Sequence, residues 1–382
     1  MPPKRRETIG WIDLLRVMAA FLVVFAHNCD SFIAAFSSDR SSFLTGVFAG
    51  SLTRPCVPLF VMMTGVLLLP VDTSMPLGAF YRKRIGRIIR PLIFWSIALP
   101  VMFTAYFSTV GSGSANPMIT LADYGSAGLL AKLYTWVFNF NFDTVPLWYL
   151  YMLIGLYLVM PILSSWLARA SRRDVGLLLG IWGASLFIPY LQMLAPHLGY
   201  RGNFGNMGLL GVCDWNAFGS LYYVSGFTGY LVLAFYLTKW PLQWSWRKTL
   251  AVCIPVFLVG YAITAGGYLW FQELFPGNYA YLEIIWLFCG INVTMMTVPV
   301  FIVVQKLAVK GSPMLTRLAS LSFGVYLCHF IFVYMAYDLF DIAGLPAIAR
   351  IAGATVVSFA AALGLSALFR AGLIITTDPA AQ

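Results

Sequence analysis

Apolar residues run almost unbroken along this chain, in stretches near the ~20 residues that a helix needs to cross a bilayer. Polar residues gather between the stretches. Ten such runs predict ten transmembrane helices, at approximately 9–29, 44–69, 88–108, 146–168, 175–195, 217–238, 249–270, 280–304, 318–339 and 347–369. The expected fold is an all-α integral membrane protein with no soluble domain. It reads as one domain over 1–382: a helical bundle over about 9–369 with tails at 1–8 and 370–382. No internal repeat and no low-complexity tract is visible.

Composition agrees. The 382 residues are 60% hydrophobic and 10% charged, against roughly 25% charged residues in soluble domains. A net charge of +10 in a soluble protein would raise the question of nucleic acid. Here the positions of the charges matter more than their sum, and no nucleic-acid partner is expected. With the N-terminus inside, 19 of the 24 Lys and Arg fall in inner segments or at inner span ends. Arg40, Arg54, Lys132, Arg201 and Arg350 fall outside. This bias puts both termini in the cytoplasm, and an odd number of spans would scramble it. Met-Pro-Pro-Lys-Arg-Arg-Glu leads straight into a full-length span, so no cleavable signal is expected. The six cysteines show no metal-ligand spacing, and no metal is expected. Cys29, Cys56 and Cys213 fall near the outer face, where spacing neither requires nor forbids a disulfide.

Charges inside the apolar runs carry the chemistry. An ionisable group in hydrocarbon costs several kcal/mol unless it meets a partner or water. The first span nevertheless holds Asp13 and Arg16 near one end and His27 and Asp30 near the other. Arg16 and His27 are eleven residues apart, about three turns and roughly 16 Å, so they share nearly one face. For Arg16 alone, snorkelling to the lipid interface would explain the charge. Asp13, Arg16 and His27 together on one helix point instead to a polar route through the protein.

Further along, Phe80-Tyr-Arg-Lys-Arg-Ile-Gly-Arg-Ile-Ile-Arg-Pro91 precedes the third span on the cytoplasmic side. Arg84 and Arg87 lie one turn apart, so both forks can reach one anion. Anionic lipid headgroups are the competing ligand. Pro146-Leu-Trp-Tyr-Leu-Tyr opens the fourth span with Trp148 and Tyr151. Ser322-Phe-Gly-Val-Tyr-Leu-Cys-His329 sets a second imidazole at mid-membrane, read as a structural histidine. Glu283 reads as a buried carboxylate in the eighth span. Two outer segments, about 109–145 and 196–216, mix aromatics with Asn and Asp. That mix suits a carbohydrate, and equally an interfacial aromatic belt.

Together these residues carry a resemblance. Asp13-Leu-Leu-Arg16 followed by His27 resembles the Arg-x10-His signature of the acyltransferase 3 family. Arg84-Ile-Gly-Arg87 resembles its Arg-x-x-Arg. Pro58-Leu-Phe-Val-Met-Met-Thr-Gly65 is similar to its second-span motif, with Thr64 where Ser is common. Leu147 to Tyr157 and Tyr326-Leu-Cys-His329 match as well, all in family order. The resemblance implies transfer of an acyl group, commonly acetyl, from cytoplasmic acyl-coenzyme A to a hydroxyl across the bacterial inner membrane. Acetyl-coenzyme A is then the donor substrate, with no permanently bound cofactor. Arg84, Arg87 and Arg16 are expected on its phosphates. His27 is expected as general base, with Asp30 orienting it. Asp13, Trp148, Tyr151, Glu283 and His329 are structural or secondary candidates. The expected partners are a glycan or polysaccharide acceptor, membrane lipids and, as a candidate, a polysaccharide synthase complex.

Two other classes fit the same runs. A proton-coupled secondary transporter would also hold intramembrane Arg, His and Glu. It would not need an arginine pair at the cytoplasmic mouth, and such carriers commonly show repeat symmetry. A structural membrane subunit of a polysaccharide secretion complex is the third.

Overall fold

In a computed structural model of the protein, residues 9–35, 38–72, 74–114, 116–138, 141–194, 221–276, 279–341 and 344–372 are described. All regular structure among them is helical. Nine helical stretches there are long and apolar enough to cross a membrane. Their outer surfaces are lined by large apolar side chains such as Ile162, Leu177 and Val356, each more than 60% exposed. Such a surface is stable only against lipid. The protein is an all-α membrane protein.

The chain divides into two compact units. The first holds α1 (Gly10–Ile33), α2 (Arg40–Leu52), α4 (Leu77–Arg84), α5 (Gly86–Val110) and α6 (Ser126–Thr135). It also holds the first part of α7 (Trp148–Leu167), with α14 (Pro313–Asp341) and α15 (Ala347–Gly372). The second holds α3 (Cys56–Leu68), the end of α7, α8 (Arg172–Ser185), α9 (Ile188–Leu194) and α10 (Thr228–Lys239). It is completed by α11 (Trp246–Leu274), α12 (Tyr279–Trp286) and α13 (Ile291–Leu307).

Two expected spans are each a pair of helices. The run 44–69 breaks at Thr53–Pro55, between α2 and α3. Pro55 lacks an N–H, so the helical hydrogen-bond ladder cannot run through it. The run 280–304 breaks at Leu287–Gly290, between α12 and α13. Three carbonyls freed there find side-chain donors within the second unit. Asn292 Nδ2 donates to Ile285 O at 2.7 Å, Arg54 Nη2 to Trp286 O at 2.7 Å and Tyr230 Oη to Phe288 O at 2.7 Å. Irregular backbone at membrane depth survives only when protein groups satisfy it in this way. The expected sixth span, 217–238, begins at residues outside the described set; its described part holds a short 3-10 turn, Tyr222–Val224, and the twelve-residue α10.

In the first unit α14 packs against α1, α5 and α15, and α1 also packs against α2 and α15. Close approach of α14 and α15 depends on Gly324, where a Cβ would lie 2.1 Å from Ser366 Oγ. From Gly111 to Leu147 the chain forms short 3-10 turns around α6. This segment closes over the α5 and α14 ends. Tyr124 and Phe142 pack against Phe103, Phe107, Phe330 and Tyr334 in one aromatic cluster. Beneath it Asp143, fully buried, accepts from Tyr124 Oη at 2.9 Å and Lys132 Nζ at 2.8 Å. Part of the 109–145 aromatic content is therefore core, whereas Tyr134 and Phe138 are almost fully exposed. The other outer segment, 196–216, lies outside the described residues. Cys29 holds a free, buried thiol, Cys56 is buried, and Cys213 lies outside the described residues.

Candidate active site

The polar groups of α1 are placed by α14. Asp13 is buried and accepts a hydrogen bond from Thr316 Oγ1 at 2.8 Å. Arg16, one turn on, sets Nη1 3.9 Å from Asp13 Oδ1 and keeps 19% of its side chain exposed. The buried carboxylate thus ties Arg16 to α14, while the cation still reaches solvent or a ligand.

At the other end of α1, His27 and Asp30 form an i,i+3 pair, with Nδ1 2.8 Å from Asp30 Oδ2. Their side chains are 21% and 31% exposed. A carboxylate at this distance holds the proton on Nδ1, which leaves the Nε2 lone pair as a base. His329 of α14 lies beside it, with ring centroids 5.2 Å apart and planes tilted by 34°. Phe330 meets the His27 ring edge-on at 5.1 Å. Because Thr316 meets Asp13 and His329 meets His27, α1 and α14 run side by side in the same direction.

His329 is fully buried. Its Nδ1 lies 2.7 Å from the Tyr326 carbonyl. A carbonyl only accepts, so Nδ1 carries the hydrogen and Nε2 is an acceptor. Nε2 is buried with no hydrogen-bond partner. From the sequence this residue read as structural; the fold brings it to His27. The signal was present in the Tyr326-Leu-Cys-His329 motif, but the two imidazoles lie 302 positions apart in the chain.

The arginine pair also sits in this unit. Ile85, between α4 and α5, keeps helical angles (φ −71°, ψ −40°), so Arg84 and Arg87 retain one-turn spacing. Both are half-buried, while Arg82, Lys83 and Arg90 are exposed. They are the charged neighbours of Tyr157 on α7. Tyr81 fastens α4 to the same stretch by donating to Leu158 O at 2.9 Å. The two half-buried guanidiniums thus differ from their exposed basic neighbours, which a lipid-headgroup stop signal alone would not require.

Trp148 and Tyr151 open α7 under the 111–147 segment. Tyr151 Oη donates to Val137 O at 2.7 Å, and Trp148 stacks edge-on with the buried Tyr149. Tyr149 in turn meets Tyr326, whose hydroxyl donates to Pro146 O. These aromatics join the start of α7 to the His329 turn of α14. Glu283 differs from the expectation of a buried carboxylate: it is exposed, on α12 of the second unit. The short helix α12 buries Ile285, and Glu283, two residues earlier, points to the opposite face.

Residues 9–368 match the model of a protein family described as an acyltransferase domain. No curated protein and no solved structure matches the chain.

Proposed function

The chain belongs to the acyltransferase 3 family, which makes it a membrane acyltransferase, and from that premise we propose that it moves an acetyl group from coenzyme A to a hydroxyl of an exported or cell-surface glycan. The membrane is then the bacterial inner membrane, with both termini in the cytoplasm. The observation that carries the reading is the His27–Asp30 pair at 2.8 Å, beside a second buried imidazole.

The steps follow from these groups. Arg84 and Arg87 hold donor phosphates in bidentate contacts, with Arg16 further along. His27 Nε2 takes the proton of the acceptor hydroxyl as its oxygen attacks the acyl carbon. The new C–O bond forms, the C–S bond breaks, and the proton passes from His27 to the departing thiolate. Asp30 holds the imidazole by its Nδ1–H and offsets the positive charge that the ring carries in between. Exposed Tyr134 and Phe138 offer faces on which a sugar can stack.

The test uses membrane vesicles containing the protein, acetyl-coenzyme A labelled in the acetyl group, and recovery of label in glycan. The expected result is label in an ester-linked, base-labile form that depends on the protein. His27→Ala is expected to lower transfer by about 10²–10⁴-fold at unchanged protein yield. Solute movement with no dependence on coenzyme A would identify a carrier instead.

A further inference from the structure

A buried acceptor with no donor is rare, because leaving one unsatisfied costs about 1–3 kcal/mol. His329 Nε2 is such an atom, on a fully buried ring whose other nitrogen is committed to Tyr326 O. The neighbouring polar ring is His27 at 5.2 Å, itself committed through Nδ1 to Asp30. Around this pair the contacts are aromatic: Phe330 on both rings and Tyr326 on His329. In the resting pair both Nε2 atoms are lone-pair acceptors, so neither can satisfy the other. That changes only when His27 gains a hydrogen on Nε2.

We propose that His329 Nε2 is a second functional acceptor at the reacting centre, taking a hydrogen bond from His27 Nε2–H once His27 has removed the acceptor proton. The inference rests on the acyl-transfer reading above and adds a residue to it. His329 stays neutral and exchanges no proton. It positions the N–H of His27 and stabilises the imidazolium between hydroxyl deprotonation and thiolate protonation. Asp30 does the same from the other ring nitrogen. The resting orphan is thus filled in the charged intermediate and not in the free protein, which is the differential stabilisation that lowers a barrier.

Two isosteres separate this role from a structural one. His329→Asn keeps a donor near Nδ1 for Tyr326 O and removes the acceptor at Nε2. His329→Gln extends its amide to the Nε2 position and keeps an acceptor there. The full-length variants are assayed in vesicles with acetyl-labelled coenzyme A, scoring label in glycan per unit of folded protein. The expected result is a kcat about 10–100-fold lower for His329→Asn, the value of a hydrogen bond to a charged group. KM for acetyl-coenzyme A is expected unchanged, and His329→Gln to recover a measurable part of kcat. Equal kcat in His329→Asn and wild type would overturn the proposal, as would equal losses in Asn and Gln. A His329→Asn chain that fails to accumulate would make Nε2 a folding group and overturn it too. Wild-type vesicles that never transfer label from coenzyme A would overturn the acyl-transfer reading itself.

Discussion

Asp30→Ala tests the core of the proposed chemistry. The change removes the carboxylate that lies 2.8 Å from His27 Nδ1. A hydrogen bond to a charged group contributes about 1.5–3 kcal/mol. Asp30 is 31% exposed and His27 21%, so water can reach the vacated position and screening weakens the original pair. The lower part of the range applies, about 1.5–2 kcal/mol, or roughly a 10–30-fold loss of kcat. This is milder than the loss expected for His27→Ala, because the base remains and only its orientation and charge support are gone. The double variant His27→Ala/Asp30→Ala is expected to be no slower than His27→Ala alone, since Asp30 acts through the imidazole. The assay is initial-rate transfer of labelled acetyl to glycan, at saturating acetyl-coenzyme A, normalised to folded protein. Wild-type rates in Asp30→Ala would refute the orienting role. Losses that multiply in the double variant would show Asp30 acting on substrate independently of His27.

Arg84→Ala and Arg87→Ala are each expected to weaken binding of coenzyme A by about 10–100-fold, for one lost charge-assisted phosphate contact; Lys at either position restores part of it. Titration of the detergent-solubilised protein checks this, and normal binding in both variants would leave the pair a lipid anchor. Gly86→Cys in a cysteine-free background tolerates its new side chain, since no atom lies within 4 Å of the added Cβ. It is expected to react with a membrane-impermeant thiol reagent only in inverted vesicles; labelling in intact cells would reverse the topology. Gly324→Ala drives a Cβ to 2.1 Å from Ser366 Oγ, and α14 and α15 must part. The expected cost is about 1–3 kcal/mol, read as a lower melting temperature in detergent, and an unchanged melting temperature would mean the helices part freely.

Much of the architecture is written in single apolar runs, because the requirement to bridge a bilayer acts on each span separately. Arg16 and His27 stand out for the same reason: a charge inside such a run is conspicuous without knowledge of its neighbours. What was illegible depends on partners distant in sequence. The break at Leu287–Gly290 has no proline to announce it and is sustained by Arg54, Tyr230 and Asn292, two of them far away in the chain. Pro55 did announce the other break, but apolar residues on both sides outweigh it in any average over a window. Glu283 looked buried because its run is apolar; which face of α12 turns inward is decided by Ile285, not by hydropathy. The half-burial of Arg84 and Arg87 beside exposed Arg82, Lys83 and Arg90 was invisible too. All five are equal in a charge count.

The placement of His329 has a simple origin in the geometry of α1 and α14. Asp13 and His27 are fourteen residues apart on one helix, and Thr316 and His329 thirteen on the other. At 1.5 Å per residue these are about 21 and 20 Å. Two parallel helices tied at the Asp13–Thr316 hydrogen bond therefore bring the two imidazoles to nearly one level without further adjustment. A slip of one turn, about 5.4 Å, would separate the rings and leave Asp13 buried with its Thr316 bond broken. The buried carboxylate resists that slip, because it would keep Arg16 of its own helix but lose its hydrogen-bond donor on α14, and a buried acceptor left short of a donor costs more than the bond itself contributes. Asp13 thus has a role distinct from that of Arg16, although the two are adjacent on one face. It sets the axial register of α1 on α14, and through that register the distance between His27 and His329.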